Sequence, residues 1–417
     1  MRAAAGQFPS LQQPITAITP TRPGMSWLAW LLLTLGRWIA TLKMVSELEF
    51  IHFAQWQRVR TKNLPRLTPD QPAEDFAYDF FVFTTNYNGD WDQYIDTFAR
   101  VPHIRLGMRL LWGTSQGFPG PIPLRTFKQY IHYHSYPETL YYSAYPASTV
   151  RNIEAAVAVK AELQKFANVS STTKAETPAA FRTRHLEMLK AIAPKLGSAP
   201  GVHPFTIETS EPGEAIPVLG RLAGGGKTGQ TLIAAMSPIE VKPGYEVTNE
   251  IAARIAAVSE STTPSPFAKC PMLHFARLVV LDDLIPKLGS SPAASLRTNY
   301  LLFVAAIDGE LDDFLDCLHA ADPKFVQDVW GRCLGYPEDG RGPVFLRRYI
   351  ARSLLPVQLP YVAFPEHTAL DIRGAVSIHA DMLDWMAADR HSTSDAELMA
   401  EWQSWLDQLF DGTRAFR

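Results

Sequence analysis

His379 has a residue type and a position that suit ligand chemistry. It borders an apolar stripe on a helix predicted over residues 370–387. The stripe consists of Ile372, Ala375, Val376, Met382, Leu383 and Met386. A neutral imidazole at the margin of an apolar helix can be an axial haem ligand, and a packed core histidine fits the same pattern. His319 and His367 compete with His379 for the ligand role.

Arginines of the second half are candidates for holding an anion or polarising a bound group. Four of them cluster on a predicted loop and helix: Arg341, Arg347, Arg348 and Arg352. A guanidinium grips a carboxylate, propionate or phosphate through two parallel hydrogen bonds, although a solvated helix face is the ordinary alternative. Arg277, on a predicted strand, is a candidate for a cation that lines a cavity.

The chain that carries these residues is repeated in sequence. The segment 112–119, with a Trp-Gly pair and then Gly-aromatic-Pro, recurs 218 positions later as 330–337. The His-Phe-Ala segment at 52–54 recurs at 274–276. A repeat of this length predicts two copies of one folding unit. The shared histidines, His52 and His274, are therefore expected to support the fold by bonding to the main chain.

Each copy is predicted to follow the order βαββαβ, which is the ferredoxin-like split motif. In the first copy the strands are predicted at 14–19, 50–59, 76–85 and 104–112, and the helices at 27–48 and 91–98. In the second copy the strands are predicted at 231–239, 274–281, 300–307 and 325–333, and the helices at 247–258 and 311–319. The predicted fold class is α+β, an internal duplication of two ferredoxin-like units with extensions that form a pseudo-dimeric α+β barrel.

The domain boundaries follow from the repeat. The first repeat is expected over 1–166, with a hydrophobic helix at 25–46, and the second over 230–388. A linker with one helix, 167–229, joins them. A C-terminal docking helix is expected over 389–417, begun by a capping box at Ser394 and Glu397.

The segment 27–42 is apolar nearly all round a helix, with Gly36 and Arg37 interrupting it near the middle. It corresponds in the repeat to 247–258, an ordinary amphipathic helix. The segment is therefore interpreted as a domain helix with an apolar outer face. Trp27, Trp30 and Trp38 are expected to contact a membrane surface or a protein partner, in preference to a true membrane span.

Composition bounds the location and the partners. The chain has 417 residues, 47% of them hydrophobic, a net charge of −3 and three cysteines. The lack of a basic excess argues against nucleic acid as a partner. Few cysteines without metal spacing indicate a reducing compartment, so a cytoplasmic protein with peripheral membrane association is expected. A second copy of the chain, in a homo-oligomer, is a further candidate partner.

Two fused ferredoxin-like units resemble the dimeric α+β barrel superfamily, in particular dye-decolourising peroxidases and chlorite-dismutase-like proteins. The chain also looks like uncharacterised bacterial proteins with HFAR and NYNGDWDxYID motifs, here at 274–277 and 86–96. The superfamily resemblance implies paired sheets around a cavity and haem held by an axial histidine beside an arginine. His379, His367 or His319 would ligate the iron, Arg348 would help to bind the cofactor, and Arg277 or Arg347 would polarise a bound peroxide.

Two main hypotheses of function follow. In the first, the chain is a haem-binding, peroxidase-like oxidative protein at a membrane surface or in an assembly. In the second, it is a non-enzymatic binding or assembly subunit that holds a small apolar ligand, or docks to lipid or a partner through the 27–42 helix. A cofactor-free monooxygenase is a third possibility.

Overall fold

The computed structural model describes residues 11–36, 49–172, 176–196, 229–239, 247–260, 265–282, 284, 296–337, 340, 342–388 and 393–410. The protein is mixed α+β with two antiparallel sheets. Its chain forms two compact units. The sheet unit comprises Met1–Pro146 and Gly229–Pro365, and the helical unit comprises Ala147–Thr228 and Glu366–Arg417.

The strands of both sheets belong to the sheet unit. They are β1 (Gln12–Pro20), β2 (Ile51–Val59), β3 (Phe80–Asn88), β4 (Ser135–Tyr136), β5 (Leu140–Ser143), β6 (Gln230–Ile239), β7 (Leu273–Leu281), β8 (Asn299–Asp308) and β9 (Leu359–Val362). The first sheet has the order β4-β1-β3-β2-β9 and the second β5-β7-β8-β6. The long strands predicted near 14–19, 50–59, 231–239, 274–281 and 300–307 are thus confirmed, and the strand predicted at 76–85 begins at Phe80 and ends at Asn88.

Each sheet takes one of its two edge strands from the other half of the chain: β9 in the first sheet and β5 in the second. Strand β9 pairs with β2, where Phe53 lies opposite Val362. Strand β5 pairs with β7, where Leu140 lies opposite Leu278. This reciprocal exchange joins the two halves through main-chain hydrogen bonds as well as through packing.

The helices are distributed over both units. Those of the sheet unit are α1 (Ser26–Gly36), α2 (Trp91–Arg100), α3 (Pro102–Trp112), α4 (Leu124–His134), α7 (Val247–Glu260), α8 (Leu311–Ala321), α9 (Pro323–Val329) and α10 (Pro343–Ser353). Those of the helical unit are α5 (Val150–Thr172), α6 (Pro178–Leu196), α11 (Ala369–Ala387) and α12 (Asp395–Phe410). Short 3₁₀ turns span Thr61–Asn63, Pro266–Lys269 and Trp330–Arg332.

The strands predicted at 104–112 and 325–333 were wrong, because these segments are helical. Proline occupies the first turn of α3 and of α9, where its missing N–H costs nothing. In α3 the buried residues Ile104, Met108 and Trp112 recur every four positions, which is the spacing of one helix face. The strand beside β1 is instead the short β4, with Tyr136 opposite Thr16.

Tight turns follow the central strands β3 and β8. Gly89 and Gly309 follow β3 and β8 with φ of 92° and 79°. A residue without Cβ adopts these angles at no steric cost. The helices α2 and α8 begin directly after these turns, and Asp90 caps α2 by accepting from the amide of Asp92.

Apolar side chains fill the space between the two sheets. This inner layer includes Phe53, Val82, Phe275, Val279 and Val304, all buried. The outer face of each sheet packs against helices: α1, α2, α3 and α4 on the first, and α7, α8, α9 and α10 on the second. The sheet unit is therefore layered as helices, sheet, sheet, helices.

The helical unit has an aromatic core of its own. Trp385 of α11 packs against Trp402 and Trp405 of α12. The predicted capping box of α12 is confirmed, since Ser394 and Glu397 exchange hydrogen bonds. A buried ion pair between Lys160 and Asp371, at 3.3 Å, links α5 to α11.

Candidate functional site

Arg277 lies between the two sheets and is 0% exposed. It projects from β7 toward the opposite sheet. One terminal nitrogen donates to the Ile15 carbonyl at 2.8 Å, and the other donates to the Thr85 carbonyl at 2.8 Å and to the Asn86 side chain. The guanidinium therefore bridges β1, β3 and β7.

Glu138 is the counter-ion of Arg277. Its Oε1 lies 3.3 Å from an Arg277 nitrogen and accepts from the Thr16 hydroxyl at 2.9 Å. Burial raises the pKa of the Glu138 carboxyl, and Arg277 opposes that shift. Burial likewise lowers the pKa of Arg277, against the attraction of Glu138. Through these contacts Arg277 connects β7 of the second sheet with β1 and β3 of the first, and the expected role of the pair is to hold the two sheets in register.

A second set of buried polar side chains is centred on His274, which lies on the same strand as Arg277. His274 lies 2.9 Å from Asp308 through Nε2 and 3.0 Å from the Tyr145 hydroxyl through Nδ1. With the Asp308 carboxylate as acceptor, Nε2 is the donor of that hydrogen bond. Burial raises the pKa of Tyr145 well above its usual range. The Tyr145 hydroxyl therefore keeps its proton within this chain of hydrogen bonds.

The repeated histidines bond to side chains and not to the main chain, which corrects the sequence expectation. His52 donates through Nε2 to Asn88 at 2.9 Å, as His274 does to Asp308. Each histidine sits at a bulge where the register of its strand shifts, so its ring is turned toward the end of the neighbouring strand. The Nδ1 atom of His52 is buried without a hydrogen-bond partner among the described residues.

The Arg277 site is present on one side of the interior only. At the equivalent position of the first half, Gln55 donates to the Ile233 carbonyl at 3.3 Å, as Arg277 does to Ile15. Sequence reasoning singled out Arg277 but missed Glu138 and Asn86. The signal for Glu138 was its replacement by Val357 in the second half, which is the same asymmetry that marked Arg277.

The other predicted residues of the sheet unit that the structure describes lie on the helices over the second sheet, and Arg341 lies outside the described residues. Arg347 of α10 pairs with Asp316 at 3.2 Å and with Asp312 at 3.7 Å, both on α8. Arg348 is exposed, and His319 is half-buried in the last turn of α8. Arg347 and Arg277 thus occupy different layers of the sheet unit.

The remaining predicted ligands belong to the helical unit. His379 lies on α11, where its Nε2 is buried without a partner among the described residues. Burial lowers the pKa of this imidazole from its usual 6.5. His367 precedes α11; burial lowers the pKa of its ring, and Asp371 partly offsets that shift. In the described ranges, His, Cys, Asp and Glu side chains form no group of three or more suited to a metal ion.

A small apolar cavity of about 20 Å³ lies between the first sheet and its helices. Its walls include Trp56, Phe83, Tyr94, Met108 and Trp112. A space of this size admits about one water molecule, whereas pockets for small ligands are typically about 300–1,000 Å³. A ligand as large as haem does not fit in it.

The outer surface of α1 and α3 carries exposed apolar side chains. We call it the docking face and define it by Trp27, Trp30, Leu35, Leu106 and Leu110. Trp27 is 62% exposed and Leu106 is 59% exposed. The two helices are neighbours in the layer over the first sheet. Trp38, also predicted to make this contact, lies outside the described residues.

The charged side chains carried by the two helices of the docking face are positive. Helices α1 and α3 contain no Asp or Glu, and α3 carries Arg105 and Arg109. The corresponding helices over the second sheet differ. There Arg254 of α7 pairs with Glu250 at 2.7 Å and with Asp328 of α9. Two neighbouring helices with exposed apolar side chains and no acidic residue of their own thus belong to the first half.

Comparisons with known proteins found no family model and no curated protein that matches this chain. Within the described ranges, no helix combines the length and the apolar character needed to cross a bilayer.

Proposed function

We propose that this protein is a peripheral membrane-binding protein that lies on a lipid bilayer through the docking face of α1 and α3. The observation that carries the proposal is the contrast between equivalent surfaces. On α1 and α3 the first half exposes Trp27, Trp30 and Leu106, whereas the equivalent helices of the second half, α7 and α9, carry the ion pairs of Arg254. Large exposed apolar patches mark interaction sites, because a folded protein gains nothing from showing them to water.

The composition of the docking face favours lipid over a protein partner. Tryptophan is enriched where a bilayer meets water, since its ring is apolar and its N–H is polar. Leu106 and Leu110, one turn apart, reach the acyl region together, and the adjacent arginines match the phosphate layer. Burying a fully exposed Leu or Trp contributes about 1.5–3 kcal/mol, so each half-exposed side chain contributes about 1 kcal/mol.

The experiment is flotation of the full chain with vesicles of phosphatidylcholine and phosphatidylserine. The variant Trp30→Ser/Leu106→Ser removes one apolar contact from each helix. We expect its partition coefficient to fall by about 20-fold or more, because each contact contributes a factor of about five. Both positions are exposed, so the free energy of unfolding should change by no more than about 0.5 kcal/mol each.

The matched control is Val344→Ser, which removes an exposed apolar side chain from α10, over the second sheet. It should float as well as the unmodified protein. Absence of flotation by the unmodified protein, or equal losses in the control and in Trp30→Ser/Leu106→Ser, would overturn the proposal.

For the architecture, we propose two duplicated ferredoxin-like units that form a pseudo-dimeric α+β barrel. Two observations support this. The first sheet has β1, β3 and β2 adjacent, and the second has β6, β8 and β7 in the same relative order. The strand β4 beside β1 has a single-residue counterpart in the bridge between Ala235 and Leu354.

A second candidate function is the haem-binding protein predicted from the sequence, and His379 supports it. An imidazole that is neutral, with a buried nitrogen unpaired among the described residues, is in the form that binds iron. The predicted arginines do not fit, because Arg277 and Arg347 are already paired with carboxylates. We therefore assign only the ligand role to His379; bound haem would supply redox chemistry there.

Absorbance titration with hemin tests this candidate. We expect the unmodified protein to sharpen and shift the Soret band of hemin and His379→Ala to lose this change, because the axial bond is then missing. His319→Ala and His367→Ala are the matched controls and should keep this change. An unmodified protein that leaves the hemin spectrum unchanged, or a His379→Ala variant that still changes it, would rule the assignment out.

A further inference from the structure

We propose that the docking face selects bilayers that contain anionic phospholipids, and that Arg105 and Arg109 of α3 make the selection. This inference rests on the proposed membrane function. It goes further in naming the lipid headgroup and the residues that recognise it.

The spacing of the two arginines places them beside the exposed leucines. Arg105 and Arg109 are four residues apart, as are Leu106 and Leu110, so each pair occupies one side of α3. When the leucines enter the acyl region, the adjacent guanidinium groups come to the level of the headgroups. Long arginine stems allow the charged end to remain there while the stem covers apolar surface.

Among the residues that the structure describes, neither arginine has a carboxylate partner. Arg109 is exposed and Arg105 is half-exposed, and neither forms an ion pair with the residues that the structure describes. The arginines of the equivalent layer are compensated: Arg254 pairs with Glu250, and Arg332 lies 3.7 Å from the same carboxylate. The uncompensated charge of α3 is therefore available to an external anion.

The chemistry of guanidinium fits a phosphate-bearing headgroup. Arginine donates two parallel N–H bonds to phosphate or carboxylate oxygens, and phosphatidylserine offers both groups. The net charge of the whole chain is −3, so a general attraction to anionic surfaces is not expected. Selection must come from the local charge of the docking face.

The test compares flotation with vesicles of phosphatidylcholine alone and vesicles that also contain phosphatidylserine. The unmodified protein should partition at least about 10-fold more strongly into the anionic vesicles. Arg105→Gln and Arg109→Gln should each lower that partition about fivefold, which corresponds to about 1 kcal/mol per charge. Neither should affect partition into phosphatidylcholine vesicles.

Arg332→Gln is the matched control, because it removes the same charge from the equivalent layer of the second half; it should behave as the unmodified protein. Equal binding to both vesicle types would overturn the lipid selection and leave the membrane function standing. Weaker binding of Arg332→Gln to the anionic vesicles, with unchanged binding of Arg105→Gln and Arg109→Gln, would also overturn the selection. Failure to bind either vesicle would overturn both proposals.

Discussion

Replacing Arg277 by methionine is expected to lower the free energy of unfolding by about 3–5 kcal/mol, because removing one partner of a buried ion pair leaves the other uncompensated. The Glu138 carboxyl would lose its counter-ion, and the carbonyls of Ile15 and Thr85 would lose their donors. All of these groups lie between the sheets, where water does not replace the lost bonds. Urea denaturation followed by tryptophan fluorescence measures the change.

The control is Gln55→Met, at the equivalent position of the first half. Gln55 makes one long hydrogen bond to Ile233, and its Oε1 is buried without a partner among the described residues. We expect this substitution to change the free energy of unfolding by less than about 1 kcal/mol. Similar losses for Gln55→Met and Arg277→Met would contradict the assigned role of the ion pair.

A double-mutant cycle isolates the pair itself. Glu138→Gln leaves Arg277 charged without its counter-ion and should also be strongly destabilising. The variant that combines both substitutions should lose less stability than the sum of the single losses, by more than about 1 kcal/mol. Strict additivity would mean that the two groups do not interact.

Acid is expected to destabilise the protein through His52. Burial lowers the pKa of this imidazole from 6.5 to about 3. Between these pH values the unfolded chain binds a proton that the folded protein refuses, so falling pH favours unfolding. The stability that the neutral imidazole contributes is fully present above about pH 6.5. The free energy of unfolding then falls by about 1.4 kcal/mol for each pH unit down to about pH 3.

The variant His52→Gln tests this dependence through the slope of its free energy of unfolding against pH, and not through its stability at a single pH. The free energy of unfolding, measured across about pH 4 to 7, should fall less steeply than in the unmodified protein. Some slope should remain, because the pKa values of His367 and His379 are also lowered by burial. Identical slopes for the variant and the unmodified protein would show that His52 titrates normally in the folded state.

The sequence predicted the elements that depend on local pattern. Strands β3 and β8 follow from short runs rich in apolar residues, each ended by a glycine that adopts positive φ, Gly89 or Gly309. The segments 104–112 and 325–333 were misassigned because the expected βαββαβ order took precedence over their helical spacing and their leading prolines.

Long-range features could not be read from local pattern. The exchange of β5 and β9 between sheets joins segments far apart in sequence, and nothing in four-residue strands encodes their partner. The Glu138 partner of Arg277 was missed for the same reason, since 139 positions separate them. The exposed apolar character of α1, in contrast, was predicted, because it depends on composition alone.

Hydrogen–deuterium exchange in the presence of vesicles tests the membrane proposal most directly. On vesicles with phosphatidylserine, we expect slower exchange in α1 and α3 and unchanged exchange in α7 and α9, because only the first pair would lie against the bilayer. The equivalent helices serve as a control within the same molecule. Unchanged exchange in α1 and α3, or equal slowing in α7 and α9, would contradict the proposed docking face.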